Sequence, residues 1–161
     1  MTVLVRPLGV PGDLGWVVMA HGEVYAAEYG WDATFEQLVA RIVADFVDKR
    51  DPARDAAWIA EVDGRRAGCV FCVEAAPETA KLRILLVDPA FRGHGLGARL
   101  VGECLSFATA AGYRRITLWT NDVLTSARKI YQAAGFTLDD EGPHDSFGVR
   151  LVGQNWSRNL P

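Results

Sequence analysis

The stretch Leu82-Arg-Ile-Leu-Leu-Val-Asp-Pro-Ala-Phe-Arg-Gly-His-Gly-Leu-Gly-Ala-Arg-Leu100 constrains this chain more than any other. An apolar strand runs into a Pro-marked turn, three alternating glycines and an amphipathic helix. A helix opening at about Gly95 leaves its first N–H groups without intrahelical partners and carries the positive end of the helix dipole, so its natural occupant is an anion. Gly93, Gly95 and Gly97 lack the side chains that would hold a pyrophosphate away from the main chain.

With 161 residues, 50% of them hydrophobic, the chain has enough apolar material for one core, and residues 1–161 read as a single domain. A net charge of −3 and a pI near 5.6 argue against an electrostatic nucleic-acid binder, which would show a basic face. Cys69, Cys72 and Cys104 are an odd number, and no secretory h-region precedes them, which points to a reducing, cytoplasmic compartment. Cys69 and Cys72 fall in an apolar strand pattern, where residues three apart face opposite ways, and no second pair completes a metal site. No run approaches the roughly 20 apolar residues of a membrane span.

Residues 2–6 read as a first strand. Asp13 is placed to cap a helix whose stripe, Leu14, Val17, Val18, His21, Val24 and Tyr25, continues to Glu28. Thr34-Phe-Glu-Gln37 resembles a capping box opening a second helix with an apolar face through Phe46 and Val47. The charged run Asp48–Asp55 reads as a solvated loop without chemistry. Asp63-Gly64 then joins two strands in an antiparallel hairpin. In the next strand, from Lys81 to Val87, alternation puts Leu82, Ile84 and Leu86 on one face and Lys81, Arg83, Leu85 and Val87 on the other. The helix after the glycines stops at Ala111-Gly112, and Arg115–Thr120 forms a strand parallel to the one at Lys81–Val87. A short helix through Tyr131 ends at Gly135. Two closing strands are expected at Phe136–Leu138 and Phe147–Val152, with His144 and Asp145 in the loop between them.

Gly93-His-Gly-Leu-Gly-Ala98 also satisfies the dinucleotide fingerprint, with Asp122 downstream as a ribose-binding acid. The hairpin in front of the strand and the short remainder after Thr120 disfavour that fold. A glycine turn kept for packing alone is the other alternative, set against the cost of three glycines at a helix start.

Arg92-Gly-His-Gly-Leu-Gly97 resembles the R/Q-x-x-G-x-G/A motif of the GNAT superfamily of N-acetyltransferases. Ala127-Arg-Lys-Ile-Tyr-Gln-Ala-Ala-Gly-Phe136 is similar to its second signature, a tyrosine four residues before Gly-Phe. The wider run from Gly12 to Trp156 resembles acetyltransferase domains fused behind MarR-type winged-helix regulators, here without the DNA-binding part. The resemblance implies an α/β (α+β) acyl-CoA N-acyltransferase fold. Its mixed, mostly antiparallel sheet would have six or seven strands and helices on both faces, splitting between Lys81–Val87 and Arg115–Thr120. It implies acetyl-CoA in that split and transfer of the acetyl group by direct attack of a primary amine of a small molecule, amino acid or peptide. An acyl-CoA-binding sensor or interaction module without turnover is the alternative. Carried over by position, backbone groups of Leu86 and Val87 would meet the pantetheine and the thioester. Arg92, Gly93, His94, Gly95, Leu96, Gly97 and Ala98 would hold the pyrophosphate, Asn121 would lie beside the pantetheine, and Tyr131 would be the general acid.

The chemistry also needs a proton acceptor for the amine. Glu28 ranks first for that role, with His21, Glu74, His144 and Asp145 behind it. Lys81 and Arg83, at the open end of their strand, suggest an acceptor that carries a carboxylate as well as an amine. The open ends of the sheet suggest a homodimer. Neither nucleic acid nor a membrane is expected as a partner.

Overall fold

Two short turns set the frame, and both are two-residue hairpin loops with positive φ at each position. Asp63 and Gly64 have φ of 50° and 79°, and Phe147 and Gly148 have 59° and 80°. Such paired left-handed residues match the right-handed twist of the strands they join. The computed structural model describes all 161 residues. In chain order they form β1 (Val3–Pro7), α1 (Asp13–Tyr29), α2 (Ala33–Lys49), β2 (Ala56–Val62), β3 (Arg65–Ala76), β4 (Thr79–Val87), α3 (Leu96–Ala110), β5 (Arg115–Asn121), α4 (Thr125–Ala133), β6 (Thr137–Ser146) and β7 (Val149–Asn159). A single turn of 3₁₀ helix, Pro89–Phe91, lies between β4 and α3.

The seven strands make one sheet in the order β1-β2-β3-β4-β5-β7-β6. Every neighbouring pair is antiparallel except β4 and β5. That parallel ladder is three pairs long, from Thr79↔Arg115 to Lys81↔Thr117, and the strands part beyond it. One face carries α3 and α4 over a core that includes Leu82, Leu85, Leu100, Val101, Cys104 and Tyr131. The other carries α1 and α2 over Val17, Phe35, Val39, Ile59, Phe71 and Leu86. Cys69 and Cys72 lie on opposite faces of β3, buried and unbridged, as the strand pattern requires.

The simple alternation expected for Lys81–Val87 fails at one point. Cys69 pairs with Leu86 but Phe71 pairs with Arg83, so Val70 alone opposes both Ile84 and Leu85. Ile84 sits in this bulge at φ 44°. A β-branched residue there costs on the order of 1–3 kcal/mol, which the surrounding packing must offset. The extra residue reverses the faces: Leu82 and Leu85 join the α3 side, whereas Ile84 and Leu86 join the α1–α2 side.

Other boundaries also move. β6 and β7 run well beyond the expected strands, taking in His144 and Asp145, and Phe147 occupies the turn. β6 is an almost wholly exposed edge, so its residues need no apolar alternation, and its acidic residues and Pro143 blunt pairing with another sheet. α2 is capped by Asp32, whose carboxylate accepts from the Thr34 amide at 3.0 Å, rather than by Thr34. The charged run before β2 ties distant segments together through Arg54, which pairs with Glu74, donates to the Ala111 carbonyl and lies 3.8 Å from the Tyr113 ring centroid.

Asp13 does not cap α1 either. The N-cap is Gly12, and the fully buried Asp13 carboxylate turns back to the preceding loop. It accepts from the Gly9 and Val10 amides at 2.9 Å each, from both terminal nitrogens of Arg6 at 2.8 and 2.9 Å, and from Nε of Arg66 at 2.9 Å. Arg6, also paired with Glu61, is the leading cause that holds this carboxyl well below the usual range. Asp13 therefore stabilises the fold above the ordinary carboxyl pKa near 3.9, and the contribution fades as pH falls through its lower folded value. Asp13→Ala leaves Arg6 with Glu61, Arg66 with the Pro11 carbonyl and the Gly9 and Val10 amides without their acceptor, and denaturant unfolding is expected to show a loss of about 3 kcal/mol at neutral pH.

Candidate active site

The gap between β4 and β5 follows from the short ladder, since beyond Lys81 and Thr117 neither strand has the other as a hydrogen-bonding partner. Two cavities lie along the parted edge of β4, one reaching β5 and the other α4. The first, about 300 Å³, lies at the glycine loop, and the second, about 130 Å³, lies under α1 and α2. Tyr25, Leu85, Leu124 and Ala127 form walls of both.

The glycine-loop cavity is shaped by residues whose conformations need glycine in two places. Gly93 and Gly95 have φ of 85° and 73°, with open space where a Cβ would stand, so backbone conformation selects glycine there. Gly97 differs: a Cβ on it would meet Cδ1 of Ile130 at 2.5 Å, so its smallness serves the packing of α4 on α3. The glycines thus have a structural return as well as an open approach. Helix α3 starts at Leu96 with Gly95 as N-cap and no side-chain cap, leaving the first amides directed to the loop. Leu86, Val87, Arg92, Gly93, Gly95, Leu96, Gly97 and Ala98 all line this cavity; His94 is exposed and does not. The bulge at Ile84 sets the course of β4 just before Leu86 and Val87.

Glu28, expected as the leading proton acceptor, also lines the glycine-loop cavity and not the one under α1 and α2. Its Oε1 lies 2.7 Å from Nη2 of Arg92. The carboxylate is committed to a guanidinium at the glycine loop, and that contact holds it away from the second cavity.

That second cavity is walled largely by aromatic and aliphatic side chains. Tyr25, Trp31 and Phe35 pack with centroids 4.7–5.1 Å apart, and Phe147 at the β6–β7 turn packs on Trp31 at 4.9 Å. Its polar lining comes from His21, Lys81, Arg83, Thr120, Asn121 and Tyr131, with no carboxylate. His21 is buried, with Nδ1 2.7 Å from the Val17 carbonyl, so Nδ1 carries the proton and Nε2 a lone pair without a partner. Burial lowers its pKa to about 4, leaving it neutral at pH 7. Asn121 is held by His144, whose Nε2 donates to Oδ1 at 2.8 Å while Ser146 Oγ contacts Nδ1 at 2.9 Å. Asn121 belongs to this cavity rather than to the glycine-loop cavity. The remaining candidates lie outside both: Glu74 takes Arg54, and Asp145 lies 3.6 Å from exposed Arg150.

Tyr131, from α4, is 5% exposed, and its hydroxyl has no protein partner. Burial raises its pKa above the ordinary tyrosine range, so it stays protonated throughout neutral pH. Tyr25 was legible only as part of a buried stripe, yet it stands between the two cavities, its own phenol raised by burial and by Tyr131. A tyrosine on an apolar helix face carries no local signal separating core from cleft.

The split mixed sheet with an uncapped helix start at the split is the fold of the acetyltransferase class, and the chain belongs to the acetyltransferase (GNAT) family, whose model matches residues 19–136. It is 31% identical over 124 residues to an N-acetyltransferase of Methanocaldococcus jannaschii, covering 71% of this chain and 54% of that one. It is 28% identical to an N-acetyltransferase of Schizosaccharomyces pombe, with 89% and 88% covered. Over 80 residues it is 34% identical to human N-acetylaspartate synthetase, covering 49% of this chain and 26% of that one. The chain thus spans about half the length of the first of these relatives and a quarter of the third. The fold matches an N-acetyltransferase of Staphylococcus aureus with a TM-score of 0.82 at 18% identity, covering 100% of both chains. It matches a Salmonella typhimurium acetyltransferase solved with its cofactor acetyl-CoA with 0.78 at 16%, covering 100% and 95%.

The residues present fit such a cofactor: free helix-start amides and Arg92 for a pyrophosphate, and unpaired strand backbone for an amide-bearing arm. Gly95→Ala forces a side chain into φ 73° and is expected to cost about 1 kcal/mol. In thermal unfolding it should also shrink the stabilisation that added acetyl-CoA confers, because the cradle is disturbed.

Proposed function

We propose that this chain transfers the acetyl group of acetyl-CoA to a primary amine, with Tyr131 as the proton donor. The observation that carries the reading is the position of Tyr131: a protonated, unpartnered hydroxyl beside the split, on a cavity that shares walls with the glycine-loop cavity. Acetyl-CoA supplies an acyl group activated as a thioester and is released as the free thiol when the amine nitrogen takes the acyl carbon. The α3 amides and Arg92 hold the pyrophosphate. Backbone groups of Leu86 and Val87 hold the arm, and the Val87 amide polarises the acyl oxygen. Tyr131 donates to the departing sulfur, so that one proton leaves the amine for each one delivered to sulfur. Its pKa exceeds that of a thiol, near 8.5, so its main contribution is a placed hydrogen bond.

Glu28 serves this reading as the partner of Arg92, holding the guanidinium until a phosphate replaces the carboxylate. The amine meets a cavity without a carboxylate, where desolvation favours its neutral, nucleophilic form. His21 Nε2 offers the only unpartnered imidazole lone pair there and accepts from an amine N–H. The three buried free thiols support a reducing, cytoplasmic setting. On the sequence resemblance of the run from Gly12 to Trp156, we further propose that the chain belongs with the acetyltransferase domains otherwise fused behind MarR-type regulators.

Thiol release from acetyl-CoA over a panel of amines, amino acids and peptides tests the activity, and binding with no release on any acceptor would favour the sensor alternative. Tyr131→Phe is expected to lower kcat by about a hundredfold, with the acetyl-CoA dissociation constant unchanged within about twofold. If Tyr25→Phe gives the larger fall instead, the proton donor is Tyr25. Glu28→Gln is expected to keep kcat and to tighten acetyl-CoA, because it removes a negative charge from the cradle.

A further inference from the structure

The cavity under α1 and α2 holds two cations with nothing to balance them. Lys81 and Arg83 are two apart on β4, both half-buried, and both line this cavity. Neither makes an ion pair or a side-chain hydrogen bond, whereas Arg92, the other arginine on these cavity walls, has Glu28. The nearest acidic influence is Asp45 on α2, which acts on Arg83 only at a distance and pairs with Lys49 at 3.9 Å. No Asp or Glu lines the cavity. Burial lowers the pKa of both cations, and the charge on Arg83 further opposes that on Lys81.

Two like charges held half-desolvated at the same wall are unfavourable in the empty protein, and an anion is what relieves them. Position adds to this. Lys81 is the last β4 residue paired with β5, so the two cations stand where the sheet begins to part. The same cavity reaches Tyr131 and the unpartnered Nε2 of His21, and its other walls are aromatic.

We propose that Lys81 and Arg83 form a carboxylate subsite, so that the acceptor is an amine that also bears a carboxylate on an apolar body, as an amino acid or a peptide C-terminus does. This deepens the acetyl-transfer reading and rests on it. The amine lies toward Tyr131 and His21, and the carboxylate lies on the two cations. Arg83 presents a planar fork that matches a carboxylate, and Lys81 adds a point charge.

The test uses matched acceptors, in which several amino acids are each compared with their carboxamide and their decarboxylated amine. The carboxylate member is expected to have the higher kcat/KM by roughly ten- to hundredfold. Lys81→Met with Arg83→Met should abolish that preference through KM, and Arg83→Lys should restore part of it. Removing desolvated, unpartnered charges should leave the melting temperature equal or higher, and a fall in parallel with the lost preference would make the role structural and overturn the subsite. Equal kcat/KM across each matched series would also overturn it while leaving acetyl transfer intact. Calorimetry in the presence of coenzyme A gives a separate reading of the same subsite. The amino acid should bind the wild type more tightly than its carboxamide and lose that advantage in the double variant, whether or not thiol is released. No difference there overturns the proposal.

Discussion

The parting of β4 from β5 is the constraint on which the rest of the molecule depends. A parallel ladder of three pairs is too short to close the sheet, and everything of chemical interest lies where it fails. The bulge at Ile84 belongs to the same event. By inserting one residue against β3 it keeps β4 firmly paired on that side while changing which side chains face each core, so that Leu82 and Leu85 support α3 and Leu86 supports α1 and α2. A strained β-branched residue persists there because the two cores and the β3 ladder together hold it.

The cleft has a roof as well as a floor, and the roof is anchored by charge. Helices α1 and α2 cover one face of the sheet, and the start of α1 is tied to β1 and β3 through Asp13, Arg6 and Arg66. The far end of the layer is held by aromatic contact, with Phe147 from the β6–β7 turn packed against Trp31 and Phe35, and by the Asp32 amide on the Phe147 carbonyl at 3.0 Å. The cavity beneath it is thus bounded by segments distant in sequence, and its shape depends on long-range pairings at both ends.

That dependence explains what was legible from the residues. The strand–glycine–helix junction and the Tyr131–Gly135–Phe136 run are local patterns, and the family fold follows from their order along the chain. The Asp63-Gly64 hairpin was legible for the same reason. The Ile84 bulge left no local mark, because its cause is the register imposed by β3. β6 is an acidic edge with no buried face to enforce alternation, and it is recognisable only by the partner it pairs with. Glu28 and His21 share a helix stripe, yet they line different cavities. Periodicity could group them but could not say that the cleft divides between them.

The division also sorts the charges. In the glycine-loop cavity Arg92 is balanced by Glu28, so its guanidinium has a resting partner and exchange for a phosphate replaces one charge-assisted contact with another. In the cavity under α1 and α2 the two cations on β4 have no such partner, and burial makes their charge more costly. An empty site that balances its charge gains affinity only from the difference between two partners, whereas an unbalanced one gains the full interaction when its ligand arrives. On the proposed reading, the cofactor is held mainly by main-chain amides that need no neutralising. Discrimination among amines falls instead to Lys81 and Arg83, the charges that the fold leaves unpaired.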